Sequence, residues 1–280
     1  MRKIRNCASA KLNTGVSKCQ IDFGKIKGAI IVESGVKLPA EMTGEDLEKM
    51  CHANRPNRSL PVLLFVEYAK NGGEPQVSAV GYGGNQVSSV NARTDTFTLD
   101  KFYESLNASM LKTMNVPFDV YYFDDKNMLY GYNDGTDVLA GVPMSTIYPI
   151  VTPHPTSSSK SSMTVNFCFE DAQDAMENFD YVQLDFDPKR FVIGLVGVKV
   201  EQIEGTKYKI VEALGGYDRT AEFGALIADK VTEVMTGVSS AQYDSDNAIL
   251  TLTTENDATP KLRDPAELYE VGIKGIEQIC

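Results

Sequence analysis

The sequence contains no tryptophan and only two histidines among its 280 residues. Catalysis by a Ser/His or Cys/His pair therefore has two candidate bases, His52 and His154. His52 directly follows Cys51, and adjacent residues of a helix do not face each other. His154 stands between two prolines, which favour a loop. We expect both histidines to face solvent, and we predict that the chain is not an enzyme.

The five cysteines are widely scattered and form no C-x-x-C pair, which argues against zinc and thioredoxin-type sites. Their odd number indicates free thiols in a reducing compartment. They are Cys7, Cys19, Cys51, Cys168 and Cys280, and we expect the last of these to be exposed. Long apolar runs are also absent, so we predict no membrane span. The basic residues 1–7 lack a following apolar segment, so we predict no cleaved signal peptide.

Motifs that bind phosphate or metal are equally scarce. No Walker loop or dinucleotide fingerprint is present, and the glycines at 81, 83 and 84 precede no predicted helix, so they indicate a bulge or turn. Residues 244–247 match half of a calcium loop but lack its glycine and its bidentate glutamate. We therefore predict no catalytic, cofactor-binding or metal-binding residues and no cofactor.

Acidic residues are plentiful, and the formal net charge is -11. This charge argues against binding DNA through neutralised phosphates, which needs clustered Lys and Arg. A hydrolase that uses paired carboxylates remains a minor alternative. Most acids fall in predicted turns, where we expect them to be solvated. The turn acids in question are Asp124, Asp125, Asp134 and Asp137, with a further group in the segment 170–174.

What the sequence does contain is a series of short apolar runs separated by polar turns. The clearest instance is residues 118–123 and 128–132, two aromatic-rich runs separated by Asp-Asp-Lys-Asn, which predicts a β-hairpin. Thr43 with Asp46 predicts a capping box, and Asp100 with an apolar stripe every fourth residue predicts a second helix. Further strands are predicted at 26–33, 61–68, 87–98, 138–142, 146–150, 163–169, 182–186, 191–200, 207–211, 248–253 and 269–277.

These patterns predict a mainly β fold with one or two flanking helices. We divide it into an N-terminal arm (1–24), a large β domain (25–205), a small inserted Ig-like β domain (206–262) and a closing strand of the large domain (263–280). Residues 220–234 stay ambiguous, because Gly224 weakens a helix that the neighbouring alanines and leucine favour.

The order of elements resembles that of major tail tube proteins of long-tailed phages and prophages, especially those of gut Bacteroidetes. The resemblance covers roughly residues 25–200 and the C-terminus. It is carried by Lys27-Gly-Ala-Ile-Ile-Val32, the helix from Thr43, Pro61-Val-Leu-Leu-Phe-Val66, the helix from Asp100, the hairpin at 120–131, the strand pair 161–170 and 181–187, and Pro265-Ala-Glu-Leu268 with Gly272-Ile-Lys-Gly-Ile-Glu277.

The resemblance implies a β-sandwich or barrel protomer that forms hexameric rings, stacked into a tube that conducts DNA. Residues 1–24 and 69–87 would reach the adjacent ring, and 207–260 would decorate the outside. Its partners would be further copies, other phage tail proteins and DNA passing without specific binding. It would lie in the virion tail after assembly in the host bacterial cytoplasm. An acidic lumen would keep phosphates from sticking, although negative charge also simply aids solubility. The alternative is a cell-surface or carbohydrate-binding β-sandwich module.

Overall fold

The computed structural model describes residues 22–39, 41–79, 81–152, 154–157, 160–255 and 258–279. They form two compact units, each with its own apolar core. The first unit comprises residues 22–47 and 59–192, and the second comprises residues 48–58 and 193–279. The fold is mainly β, as predicted, but the described residues form six helices where we expected one or two.

The first part of the chain forms eleven strands and three helices within the described residues. The strands are β1 (Ile26–Glu33), β2 (Leu60–Leu63), β3 (Phe65–Gly72), β4 (Pro75–Ala79), β5 (Asn85–Val90), β6 (Arg93–Leu99), β7 (Phe118–Asp124), β8 (Met128–Tyr132), β9 (Val142–Thr152), β10 (Ser162–Phe169) and β11 (Phe179–Gln183). The helices are α1 (Gly44–His52), α2 (Glu104–Lys112) and α3 (Ala172–Glu177).

Nine of these strands form one antiparallel sheet, which curls into a half-barrel. Its main path runs β11-β8-β7-β9-β10-β6-β3, and β1 pairs with both β7 and β2. Every residue of β7 is buried, so this strand forms the centre of the core. The predicted hairpin is confirmed: Tyr122 pairs with Tyr130, and Asn127 takes the left-handed conformation in the turn.

The predicted buried strand at 61–68 is wrong in its second half. Leu64 has a φ of 68°, which ends β2 and starts β3 in a new direction. Phe65 is buried, but Val66 and Tyr68 are 63% and 48% exposed. The apolar composition predicted burial, yet β3 lies at the end of the sheet with one side unpaired among the described strands.

Helix starts follow local chemistry where a cap is present. Thr43 and Asp46 form the predicted capping box, because each side chain accepts a hydrogen bond from the backbone N–H of the other. The second helix begins at Glu104 rather than at Asp100, whose carboxylate accepts a hydrogen bond from the Tyr103 hydroxyl instead.

The strand predicted at 138–142 does not form. Ala140 makes an isolated bridge, and β9 begins at Val142.

The second unit holds seven strands and three helices in its described part. The strands are β12 (Val196–Glu204), β13 (Lys207–Glu212), β14 (Met235–Thr236), β15 (Val238–Asp244), β16 (Ile249–Thr254), β17 (Lys261–Leu262) and β18 (Ile276–Gln278). The helices are α4 (Thr220–Asp229), α5 (Val231–Val234) and α6 (Pro265–Glu270). A five-stranded sheet runs β15-β16-β13-β12-β18, with β12 and β18 parallel, and β14 pairs with β17.

The ambiguous segment 220–234 is helical, and its glycine has a packing role. A Cβ at Gly224 would lie 2.4 Å from the ring of Tyr243 on β15, so only glycine lets α4 approach the sheet this closely. Phe223 and Ile227 lie on the same buried face. In the second unit, α4 therefore packs against the five-stranded sheet, and β14 and β17 form a separate pair.

The expected boundaries also need correction. Residues 193–205 and 263–279 belong with the second unit, not with a large domain at 25–205 and its closing strand at 263–280. Pro265 begins α6, and Gly272 and Gly275 have φ of 95° and 77°, which interrupts an extended segment. The remaining strand, β18, pairs with β12 instead of with the half-barrel.

Cys51 is free and buried, and Cys168 is free and half-buried. Burial raises the pKa of the Cys51 thiol to about 12, so it stays protonated at neutral pH. The predictions for Cys7, Cys19 and Cys280, and for residues 1–21 of the arm, lie outside the described residues. Across the described residues, no helix has the length and apolar character that crossing a membrane requires.

Candidate assembly surface

The most unusual feature of the first unit is an exposed β-hairpin that lies outside its main sheet. Among the described strands, β4 and β5 pair only with each other, as a two-stranded sheet separate from the half-barrel. We call residues 75–90 the hairpin arm. Every described residue of both strands is exposed except the half-buried Val90. An isolated two-stranded hairpin is marginally stable in water, so the hairpin arm needs contacts beyond its own two strands.

The composition of the hairpin arm suits a protein contact. Residues 75–90 contain no charged side chain, in a sequence of which 23% is charged. Val77, Tyr82 and Val87 are exposed by 57%, 112% and 61%. Charged side chains are depleted at the core of protein–protein interfaces, whereas an ordinary solvated hairpin carries them. This composition therefore favours burial against another protein surface.

The hairpin arm connects β3 to β6, and we call the side of β3 that faces away from β6 the open edge. β3 pairs with β6 on one side, from Phe65 to Gly72, and no described strand pairs with its other side. β3 is exposed from Val66 to Asn71, and its open edge presents unpaired N–H and C=O groups that a further strand can bind. Glu67 and Lys70 are the charged residues on this edge, which limits uncontrolled pairing.

The open edge borders a cavity of about 620 Å³, which we call the edge cavity. Its walls include the start of β1, the first half of β3 and parts of β6, β7, β8, β10 and β11. Aromatic rings dominate the lining: Phe23 stacks on Tyr130 at 5.6 Å, and Tyr130 on Phe179 at 5.7 Å. Phe23 itself is 59% exposed. The site is therefore mainly apolar and open to solvent, and its lining also includes the charged residues Lys25, Lys27, Glu67, Arg93 and Asp95.

A fixed ion pair supplies polar groups within this lining. The Arg93 guanidinium donates two hydrogen bonds of 2.9 Å to the two oxygens of Asp95, and it lies 4.4 Å from the centre of the Phe169 ring. Tyr68 donates to Asp95 at 3.3 Å. Burial lowers the pKa of Arg93, but bonding to Asp95 outweighs burial and leaves that pKa raised. Arg93 therefore stays charged.

A second cavity, of about 400 Å³, lies elsewhere in the first unit. Three acids, Glu41, Asp137 and Asp185, contribute to its lining. The described residues that line it include no histidine, serine or cysteine.

The expectation for His52 is wrong. His52 is 1% exposed, and its Nε2 accepts the backbone N–H of Gly275 at 2.8 Å. Its Nδ1 lies 2.8 Å from the Glu48 carbonyl, so the neutral ring donates from Nδ1. Burial lowers the pKa of His52. The ring packs against the Tyr269 ring, with the ring centres 4.9 Å apart and the planes tilted by 34°. His154 is exposed, as expected.

Among the acids of the predicted turns, Asp124 is not solvated as we expected. Its side chain is fully buried and accepts hydrogen bonds from the backbone N–H groups of Gly24, Lys126 and Met128 and from the Tyr130 hydroxyl. It therefore organises the β7–β8 turn rather than facing solvent.

The partial calcium pattern forms the turn between β15 and β16. Asp244 accepts the backbone N–H groups of Asp246 and Asn247 and the side-chain amide of Asn247. Within the described part of the chain, no group of three or more acidic, His or Cys side chains could hold a metal ion.

The segment 69–87, singled out as a reaching part, comprises the end of β3 and most of the hairpin arm. The glycines at 81, 83 and 84 lie at the arm's tip, where they form the predicted turn. Sequence reasoning missed β4 and the edge cavity. The lack of charge across residues 75–90 was the signal that could have revealed the arm. No protein-family model matches the sequence, and no curated protein gives a significant match to it.

Proposed function

We propose that this chain is a virion structural protein that self-assembles into stacked, six-membered rings forming a phage tail tube. Its partners are further copies of itself, other tail proteins and DNA that passes through the lumen without specific binding. It acts in the virion tail after assembly in the bacterial cytoplasm, and it carries out no catalysis. The observation that carries the proposal is the uncharged hairpin arm, exposed along both strands, together with the open edge of β3.

Two further observations support self-assembly into a conduit. A half-barrel with an unpaired edge strand can extend its sheet through a second copy, since strand edges template association. The net charge of -11 suits a bore that must not bind phosphates. A tube whose lumen was neutral or basic would contradict this assignment of the acids.

The test compares two double variants with equal charge changes. Val77→Asp with Val87→Asp places charge on the hairpin arm, and Ile203→Asp with Leu214→Asp places it at exposed apolar positions of the second unit. Sizing and negative-stain electron microscopy across a concentration series should show rings or tubes for the wild type and the second-unit variant. The arm variant should stay monomeric in the sizing experiment, and circular dichroism should show that it is folded.

A wild-type protein that remains a 30.7 kDa monomer at every concentration would overturn the proposal. If that monomer also bound immobilised oligosaccharides, the alternative of a cell-surface or carbohydrate-binding module would replace it.

A further inference from the structure

The tip of the hairpin arm presents one large aromatic side chain to solvent. Tyr82 is fully exposed, and it stands between Gly81 and two further glycines. A Cβ built at Gly81 or Gly84 would meet nothing within 4 Å, so the surroundings of the ring are open. Tyrosine is among the residues enriched at interface hot spots, because it buries a large area at a low cost in side-chain entropy. Tyr82 therefore has the properties of an anchor that lacks its pocket.

A pocket of matching chemistry exists on the same unit. The edge cavity has the volume of a small-ligand site, and its lining is mainly aromatic and aliphatic. Three residues of its lining, Phe23, Val66 and Met176, are exposed by 59%, 63% and 39%. These exposed apolar side chains are in contact with water. Covering them with another molecule would be favourable by about 25 cal/mol per Å² of apolar surface buried.

We propose that Tyr82 of one copy enters the edge cavity of a second copy. This inference rests on the proposed self-assembly and identifies the surface that receives the hairpin arm. The exposure of Tyr82 shows that its ring lies outside the cavity of its own chain. The arm carries no charge, so its entry brings no ion of its own out of water.

The chemistry of the contact has an apolar and a polar part. The Tyr82 ring packs against the aromatic lining, where aromatic pairs contribute about 0.5–1.5 kcal/mol beyond area burial. Its hydroxyl has the Arg93–Asp95 pair as its hydrogen-bonding partner. Because the anchor and the cavity are different surfaces of one chain, the contact is head-to-tail, and its repetition builds a ring or a filament.

The first test replaces Tyr82 by the photo-reactive p-benzoyl-phenylalanine in a mixture of ¹⁵N-labelled and unlabelled protein. After illumination, mass spectrometry should find mixed-isotope cross-links from position 82 to Met176 or Val66. Assemblies whose cross-links from position 82 map only outside the cavity would overturn this inference and leave the proposed function standing. A protein that forms no assemblies would overturn both.

The second test uses the difference between anchor and cavity. Tyr82→Ala removes the anchor and Met176→Arg blocks the cavity, so each variant alone should need at least tenfold more protein to assemble. Their equimolar mixture should form pairs, since the intact Tyr82 of one variant meets the intact cavity of the other. Val66→Arg repeats the block from β3 and guards against a misfolded Met176→Arg.

Tyr217→Ala, at an exposed tyrosine of the second unit, is the matched control and should assemble as the wild type does. Tyr82→Phe should weaken assembly less than Tyr82→Ala, because it keeps the ring and loses only the hydroxyl. Unchanged assembly of Tyr82→Ala, or a mixture that forms no pairs, would contradict the inference.

Discussion

Asp124 shows how one buried carboxylate can fix a turn. Its oxygens accept three backbone N–H groups and the Tyr130 hydroxyl, which lies 2.6 Å away. Buried polar groups are stable only when they are hydrogen-bonded, and bonds to a carboxylate are stronger than neutral ones. Tyr122, on the same strand as Asp124, is the opposite case: its buried hydroxyl has no hydrogen-bond partner among the described residues.

The two tyrosines therefore predict opposite results for the same substitution. Tyr130→Phe removes a donor from buried Asp124 and should lower the free energy of unfolding by about 1–3 kcal/mol. Tyr122→Phe removes an unpaired hydroxyl and should leave this free energy unchanged or raise it by about 1 kcal/mol. Urea denaturation followed by circular dichroism measures both. An equal decrease in the free energy of unfolding in both variants would show that the hydrogen bond from Tyr130 to Asp124 does not stabilise the fold.

At the scale of elements, the connection between β3 and the hairpin arm depends on glycine. Gly72 has a φ of 74°, and a Cβ there would lie 1.9 Å from the carbonyl oxygen of Ala92. The backbone at the base of the arm would have to move to accept any side chain. Gly81, at the tip, has a φ of 57° but meets nothing within 4 Å.

This difference predicts a large and a small effect from the same substitution. Gly81→Ala places a Cβ on a left-handed backbone without any further clash, so it should lower stability by about 1 kcal/mol. Gly72→Ala adds a clash with backbone and should cost about 3 kcal/mol or more, and it should also raise the concentration needed for assembly. Thermal unfolding and sizing measure the two quantities. If Gly72→Ala lowered stability only as much as Gly81→Ala does, the backbone at the base of the arm could move to accept the added Cβ at little cost.

At the scale of the whole molecule, the two units have separate cores, and the second contains the buried His52. Glu48, Arg58 and Lys274 are the charged groups that act on this ring, and the Tyr269 ring packs against it. Protonating Nε2 would remove the acceptor of the Gly275 N–H. Burial, the largest influence, therefore favours the neutral ring in the folded state.

Because the pKa of His52 is lowered from 6.5 on folding, the unfolded chain binds its proton at a higher pH than the folded one. Stability of the second unit should be full above about pH 6.5 and should fall at lower pH, by at most about 1.4 kcal/mol per pH unit from this group. His52→Gln should flatten this dependence, whereas the exposed His154→Gln should not. Urea denaturation between pH 5 and 8 tests it, and an unchanged slope in His52→Gln would contradict it.

Sequence periodicity by itself determined the elements whose burial follows from their own residues. It predicted β1 and the β7–β8 hairpin, where apolar runs alternate with turn-forming residues, and the capping box at Thr43 and Asp46. These features depend on contacts only a few residues apart, or on burial that a run of apolar residues ensures.

Only the tertiary structure decided which apolar runs are buried and which sheet each strand joins. The run that includes Val66 and Tyr68 reads as core, yet it forms the open edge, because exposure depends on which strands pair with it. Pairing between distant segments is set by the whole chain, which is why the C-terminal strand β18 joined β12 instead of the half-barrel. The edge cavity likewise exists only because seven separate strands and α3 surround it, and short-range patterns carry no information about such an arrangement.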